Sequence, residues 1–160
     1  MLVRPRGDAD SPAVRTFLTE NHSLRVARRG VLLHPMEHPA LIAVDGDRLA
    51  GVLTYVVDGA SCEILTLHAG AQWHRIGSAL LAEVARVAAA AGCTRLWLVT
   101  TNDNVDALRF YQRRDFRLTA LRPGAVDAGR ATLKPEVPLT GAYGIHLRDE
   151  LELTKPLPDR

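Results

Sequence analysis

The sequence predicts an α+β fold, a mixed sheet with helices packed on it, and three observations carry that expectation. Residues 41–69 read as strand, turn, strand, turn, strand, which is an antiparallel meander. From residue 77 to 121 the pattern changes to helix, strand, helix, strand, and a meander followed by such alternation implies a mixed sheet. The chain has 160 residues, 47% of them hydrophobic and 24% charged, so one domain over 1–160 with one core is expected.

Each element has its own signal. Residues 1–5 are expected to form a short first strand. Ser11-Pro12 reads as an N-cap followed by proline at the first helical position, with Val14, Phe17 and Leu18 as the apolar stripe of a helix ending near Glu20. In the stretch HPMEHP, Pro35 and Pro39 punctuate residues 22–39, where a short strand followed by an irregular loop is expected. LIAVDGDRLAGVLTYVV, residues 41–57, holds two strands around Asp45-Gly46-Asp47, because Asp-Gly supplies the positive φ a tight turn needs. Asp58-Gly59 turns the chain again into SCEILTLHA.

From Gly77 to Ala91 a helix puts Leu80, Leu81, Val84, Val87 and Ala91 on one face, and Gly92 closes it. RLWLVTT, residues 95–101, reads as a buried strand. NVDALRFYQRR follows as an amphipathic helix opened by an Asn/Asp cluster, and FRLTAL, residues 116–121, returns as a strand. The tail is less regular. PGAVDAGRATLKPEVP holds a short helix ahead of Lys134-Pro135, and IHLRDELEL alternates in the manner of an edge strand.

Composition excludes several function classes. With 20 basic and 18 acidic residues the net charge is +2, which offers no electrostatic case for nucleic acid. The clusters Arg25, Arg28, Arg29 and Arg109, Arg113, Arg114 read as solvated or partner-facing surface. Cys62 and Cys93 are far apart in apolar surroundings and read as buried reduced thiols. MLVRPRGDADSP has no apolar signal core, and no run reaches membrane-spanning length. A cytoplasmic protein with no membrane or nucleic-acid partner is expected. No metal is expected either, since His34 and His38 are separated by Pro35 and no other spacing suits a metal site.

The chemistry is expected in residues 61–116. QWHRIG, residues 72–77, stands between a strand and a helix, where unpaired N–H groups and aligned peptide dipoles favour an anion. Gly77 and Ser78 let the backbone approach a pyrophosphate, and Ser78 adds a hydroxyl; an ordinary strand-to-helix turn would look the same. His68 and His74 flank this stretch, either touching phosphate or standing exposed. Asn104 and Tyr111 are two turns apart at ~3.6 residues per turn, with small Ala107 between them, and form a track for an extended polar ligand. The alternative is a helix cap at Asn104 and a core aromatic at Tyr111.

The stretches LTLHAGAQWHRIGSALLAEV and CTRLWLVTTNDNVDALRFYQRRDFRL resemble the GCN5-related N-acetyltransferase (GNAT) superfamily. Gln72, Trp73, His74, Arg75, Ile76 and Gly77 stand on that family's Gln/Arg-x-x-Gly-x-Gly/Ala loop for the coenzyme A pyrophosphate, and NVDALRFYQRRDF on its Asn-to-Tyr helix with a following Gly-Phe. The resemblance covers roughly 1–121 in element order and is specific over 61–121. Two positions depart from it: Arg75 replaces the first loop glycine, and Asp115 the glycine before Phe116. At a position of positive φ, a side chain at 75 would cost about 1–2 kcal/mol, whereas a guanidinium there could also pair with pyrophosphate.

The resemblance implies a twisted sheet of about six to seven strands flanked by about four helices. It implies acetyl-CoA as cosubstrate, lying between splayed parallel strands 61–68 and 95–101 and bound by Leu65, Leu67, Gln72, His74, Arg75, Ile76, Gly77, Ser78, Asn104 and Ala107. The Leu67 N–H would polarise the thioester carbonyl. By the period-two rule Glu63, Leu65 and Leu67 share one face, so Glu63 is the expected general base, with a water relay as the alternative. Tyr111 would protonate the departing thiolate, since a phenol of pKa near ~10 donates readily to a thiolate of pKa ~8.5. The acceptor is an amine of a small molecule or protein, met by residues 22–39 and 123–146, and the family's frequent pairing implies a homodimer. A silent acyl-CoA sensor and an interaction module on the same fold are the alternative functions.

Overall fold

Among the described residues, four α-helices and a seven-stranded mixed sheet make up the fold, in the α+β class that the sequence predicts. The computed structural model describes residues 1–70 and 73–158, with the backbone alone for Trp73 and His74. In chain order the elements are β1 (Leu2–Pro5), α1 (Ser11–Glu20), β2 (Val26–Arg28), β3 (Val31–Leu33), β4 (Ala40–Asp45), β5 (Arg48–Asp58), β6 (Ser61–Ala69), α2 (Trp73–Ala90), β7 (Arg95–Thr101), α3 (Val105–Gln112), β8 (Arg117–Arg122), α4 (Ala125–Thr132) and β9 (Glu150–Pro156). They fall into two compact units. Met1–Arg25, His34–Leu96 and Pro156–Arg160 form the first, and Val26–Leu33 with Trp97–Lys155 form the second.

In the first unit β1, β4, β5 and β6 lie side by side, antiparallel throughout. The two turns of the meander fall where Asp-Gly predicts them, with φ of 61° at Gly46 and 58° at Gly59. Alternation along β5 sends Val52 to one face, where it packs with Ile42, Val14 and Leu18 under α1. Gly51 points to the other face, toward α2, and a Cβ there would stand 2.6 Å from Ile76 Cγ2. Ser11 is the first residue of α1 rather than its cap. Asp10 occupies the cap position after a short 3₁₀ turn, and its carboxylate accepts from the Gly7 N–H at 2.7 Å and pairs with Arg4 at 2.7 Å.

In the second unit residues 26–33 form a two-stranded hairpin, where the sequence suggested one strand and a loop. Arg29 and Gly30 both take positive φ, 52° and 76°, as a type I′ turn requires; an arginine in that position is a weak sequence signal. The other correction concerns β9, which lies between β7 and β8 rather than at an edge. Its charged residues are paired instead of solvated. Glu150 is buried and accepts from the Arg29 N–H at 3.1 Å and from Arg122 at 3.3 Å, while Glu152 meets Arg122 at 3.5 Å. Part of the basic cluster is likewise structural, since the Arg28 and Arg29 guanidinium groups lie 5.7 and 5.4 Å from the centre of the Trp97 ring.

Candidate functional site

The first-unit half of the expected site rests on an irregularity in β6. Thr54 pairs with Thr66 and the next residue, Tyr55, with Ile64, so Leu65 is an extra residue on β6. Such a bulge takes the backbone of the extra residue out of the ladder and shifts the phase of alternation. Thr54 and Thr66 share a face, their hydroxyls 2.7 Å apart. Val56 lies two residues along β5 on that same face and pairs with Glu63. Leu67 pairs with Leu53, on the opposite face. Glu63 and Leu67 therefore point to opposite sides of the sheet, which corrects the expectation that Glu63, Leu65 and Leu67 share one. Glu63 is also buried, only 4% exposed, and so is no solvated strand residue.

His68 pairs with Val52 and so lies on the Glu63 and Thr66 side of β6. Its Nε2 is 2.6 Å from the Ser23 Oγ. Burial pushes the imidazole down to about 4, so it is neutral in ordinary buffers. The sequence offered exposure or a phosphate contact for His68; its contact is with Ser23, 45 residues earlier, and no local pattern announces such a pair.

α2 starts at Trp73, four residues earlier than its apolar stripe suggests, because the stripe marks only the buried face. Arg75 thus sits in the first turn of the helix, exposed, and its φ is not positive. The expected crowding at this position does not arise: a helical backbone accommodates arginine as easily as glycine. Ile76 and Gly77 are buried, and Ser78 is half-buried. Gln72 and the side chain of His74 lie outside the described residues.

In the second unit, Asn104 caps α3. Its Oδ1 accepts from the Ala107 N–H at 3.2 Å and its Nδ2 donates to the Thr100 Oγ1 at 3.3 Å, as a cap residue should. Ala107 and Tyr111 are buried along α3, with the Tyr111 ring edge-on to Phe110 and Phe116 at 5.2 Å each. Desolvation raises the Tyr111 phenol above its usual value, so it keeps its proton. Asp115 ends this helix with φ of 69°. Phe116 N–H donates to the Tyr111 carbonyl at 3.1 Å and Asp115 N–H to that of Gln112 at 3.2 Å, a Schellman motif with aspartate where glycine is usual.

Sequence reasoning missed what anchors the tail beside α3. Asn102 Oδ1 accepts from the N–H groups of Arg148 at 3.0 Å and Asp149 at 2.9 Å, and its Nδ2 donates to the His146 carbonyl at 2.7 Å. Asp103 accepts from the Ala142 N–H at 2.9 Å, and a Cβ on Gly141 would collide with its carboxylate. Arg130 gathers the carbonyls of Val137, Pro138 and Leu147, each at 2.8 Å. The run TTNDN was the available signal: three polar residues crowded between a strand and a helix need partners.

The chain belongs to the acetyltransferase (GNAT) family, whose description matches residues 10–116, and is thereby an acyltransferase enzyme. It is 42% identical over 111 residues, 69% of each chain, to the uncharacterized protein YdhI of Bacillus subtilis. Among solved structures it is similar to an IAA acetyltransferase from Bacillus cereus, with TM-score 0.74 and 18% identity, covering 98% of this chain and 99% of that one. It is also similar to a GNAT family acetyltransferase from Elizabethkingia anophelis with acetyl-CoA bound, with TM-score 0.68 and 20% identity, covering 98% and 97%. At such identities the likeness speaks for the fold. No helix among the described residues is long and apolar enough to cross a membrane.

Proposed function

We propose that this enzyme transfers the acetyl group of acetyl-CoA directly to a primary amine of a small molecule or a protein, in a cytoplasmic setting. The observation that carries the reading is the bulge at Leu65, within a chain of this family. An extended pantetheine arm is recognised through main-chain hydrogen bonds, and a bulge supplies an N–H and a C=O that the neighbouring strand does not use. Leu65 and Leu67 are the residues proposed to hold that arm. Arg75, Ile76, Gly77 and Ser78, in the first turns of α2, are proposed for the pyrophosphate, together with Gln72 and His74. Asn104 and Ala107 are proposed to serve the same ligand.

In the transfer the amine nitrogen attacks the thioester carbonyl carbon, the C–N bond forms and the C–S bond breaks. Tyr111 gives its proton to the thiolate, a role consistent with a buried phenol that stays protonated. Glu63, roughly 10 Å along β6 from Leu67, would reach the amine proton only through water, unless a nearer side chain accepts it. A silent sensor is suggested by side chains on two glycine positions of the family, and the relaxed backbone at Arg75 counts against it while the positive φ of Asp115 does not.

Thiol release from acetyl-CoA in the presence of primary amines tests the proposal. Tyr111→Phe is expected to lower kcat roughly 10²-fold with little change in KM for acetyl-CoA. An unchanged kcat would remove Tyr111 from the acid role. Binding without turnover of any amine would favour the sensor.

A further inference from the structure

Ser23 and His68 form a bonded pair that the proposed reaction has not used. We infer that His68, oriented by Ser23, is the group beside Leu67 that accepts the proton of the acceptor amine. This inference rests on the acetyl-transfer reading and names a residue within it.

The proton positions follow from the bonds. Ser23 is fixed by its own N–H, which donates to the Leu18 carbonyl at 2.8 Å. Its Oγ donates to the Asn21 carbonyl at 3.2 Å, and a carbonyl can only accept. A hydroxyl has one proton, so the 2.6 Å contact with His68 is made by a ring N–H donating to Oγ. Nε2 therefore carries the proton of the neutral imidazole, and Nδ1 keeps a free lone pair. Without Ser23 the two tautomers would compete.

The position along β6 separates His68 from Glu63. A proton acceptor must come within ~3 Å of the proton it takes, or act through one water. His68 follows Leu67 directly, with Cα atoms ~3.8 Å apart. Glu63 pairs with Val56 where Leu67 pairs with Leu53, three ladder positions away and roughly 10 Å along a strand at ~3.3 Å per residue. If the thioester carbonyl sits at the Leu67 N–H, His68, on the same face of β6 as Glu63, is the nearer of the two along the strand.

The proton inventory closes. As the C–N bond forms, an N–H bond of the attacking amine breaks and Nδ1–H forms. The Nε2 proton moves to Ser23 Oγ, and the Ser23 hydroxyl proton passes to water at the exposed Asn21–His22 turn. Exchange with solvent restores the Nε2–H tautomer before the next turnover.

Two measurements test the relay. In the first, ¹⁵N NMR of histidine-labelled protein at neutral pH reads the His68 tautomer, assigned by the signal lost in His68→Gln. The expected spectrum shows a protonated Nε2 and a bare Nδ1, shifting toward a tautomer mixture in Ser23→Ala; a protonated Nδ1 in the wild type overturns the inference. In the second, thiol release is followed with benzylamine, spermidine, lysine amide and a peptide with a free N-terminal alanine. His68→Ala is expected to lose roughly 10²-fold in kcat, with its melting response to acetyl-CoA kept and part of the rate restored by added imidazole. His68→Gln covers the case in which the alanine variant does not fold, and it should lose more than Glu63→Gln. Loss of less than twofold in the variants at 68, failure of imidazole to raise the His68→Ala rate, or a larger loss in Glu63→Gln overturns the relay alone. A wild-type chain that releases no thiol with any of these amines overturns the acetyl-transfer reading, and the relay with it.

Discussion

Asp115 and Arg75 stand on the two glycine positions that depart from the family pattern, and the backbone treats them in opposite ways. Asp115 takes φ of 69°, whereas Arg75 does not have a positive φ. Left-handed backbone crowds Cβ against the following carbonyl, a cost of roughly 1–2 kcal/mol that aspartate partly offsets by bonding locally. Asp115→Gly is therefore expected to stabilise the protein by about 0.5 kcal/mol, after the extra freedom that glycine gives the unfolded chain. Urea unfolding would read this as a higher midpoint with an unchanged slope. A lower midpoint would mean that the Asp115 carboxylate contributes more than its backbone costs. The substitution itself was legible in the sequence. Its consequence was not, because one letter does not report φ: at 75 the helix starts early, and at 115 it ends in a Schellman motif.

Among the elements, the helices were the most legible because 3.6-residue periodicity survives small errors of placement. The α2 stripe holds at Leu80, Leu81 and Val84, whereas farther along Ala88 is buried in place of Val87, Ala91 lies exposed beyond the helix, and the first turn goes unannounced. Strand faces are less forgiving. One extra residue at Leu65 reversed the side assigned to Glu63, and nothing in SCEILTLHA marks a bulge. Likewise the charges of IHLRDELEL suggested an edge, since Arg122 and Arg29, the partners that make Glu150 and Glu152 affordable in a central strand, are distant in sequence. The packing of β5 on α2 has a sharper consequence. A Cβ at Gly51 would meet Ile76 Cγ2 at 2.6 Å, Leu80 Cδ1 at 3.1 Å and the His68 carbonyl at 3.2 Å. A leucine tip can swing aside, but a β-branched methyl is stiff and a strand carbonyl is fixed. Gly51→Ala is expected to destabilise by about 1–3 kcal/mol through overpacking, read as a fall in Tm. An unchanged Tm would show that α2 can shift away from the sheet without loss.

At the scale of the molecule, His68 and Cys62 make opposite contributions to how stability depends on pH, and both are neutral in the folded chain. Burial lowers His68 to about 4 from a reference of 6.5 and raises Cys62 to about 12 from 9.0. For His68 the unfolded chain binds more protons between those values, so the stability it contributes is complete above 6.5 and is lost as pH falls toward 4. At ~1.36 kcal/mol per unit, and with some solvent reaching the ring, the loss amounts to about 2 kcal/mol. For Cys62 the folded thiol keeps a proton that the unfolded one releases, so stability is complete below 9.0 and is lost as pH rises toward 12. Tm measured from pH 4 to 11 should therefore form a plateau between about 6.5 and 9 with a decline on each side. His68→Gln should reduce the acid limb and leave the alkaline one, while Cys62→Ala should reduce only the alkaline one, to which Cys93, Tyr55 and Tyr111, all raised by burial, also contribute. The His68 result also bears on the reaction. If the acid limb persists in full in His68→Gln, the ring is not held neutral by its surroundings, and the bare Nδ1 that the relay requires would be protonated in mild acid. If the limb shrinks, the environment that keeps His68 ready to accept a proton is also one that the fold maintains at a cost in acid stability.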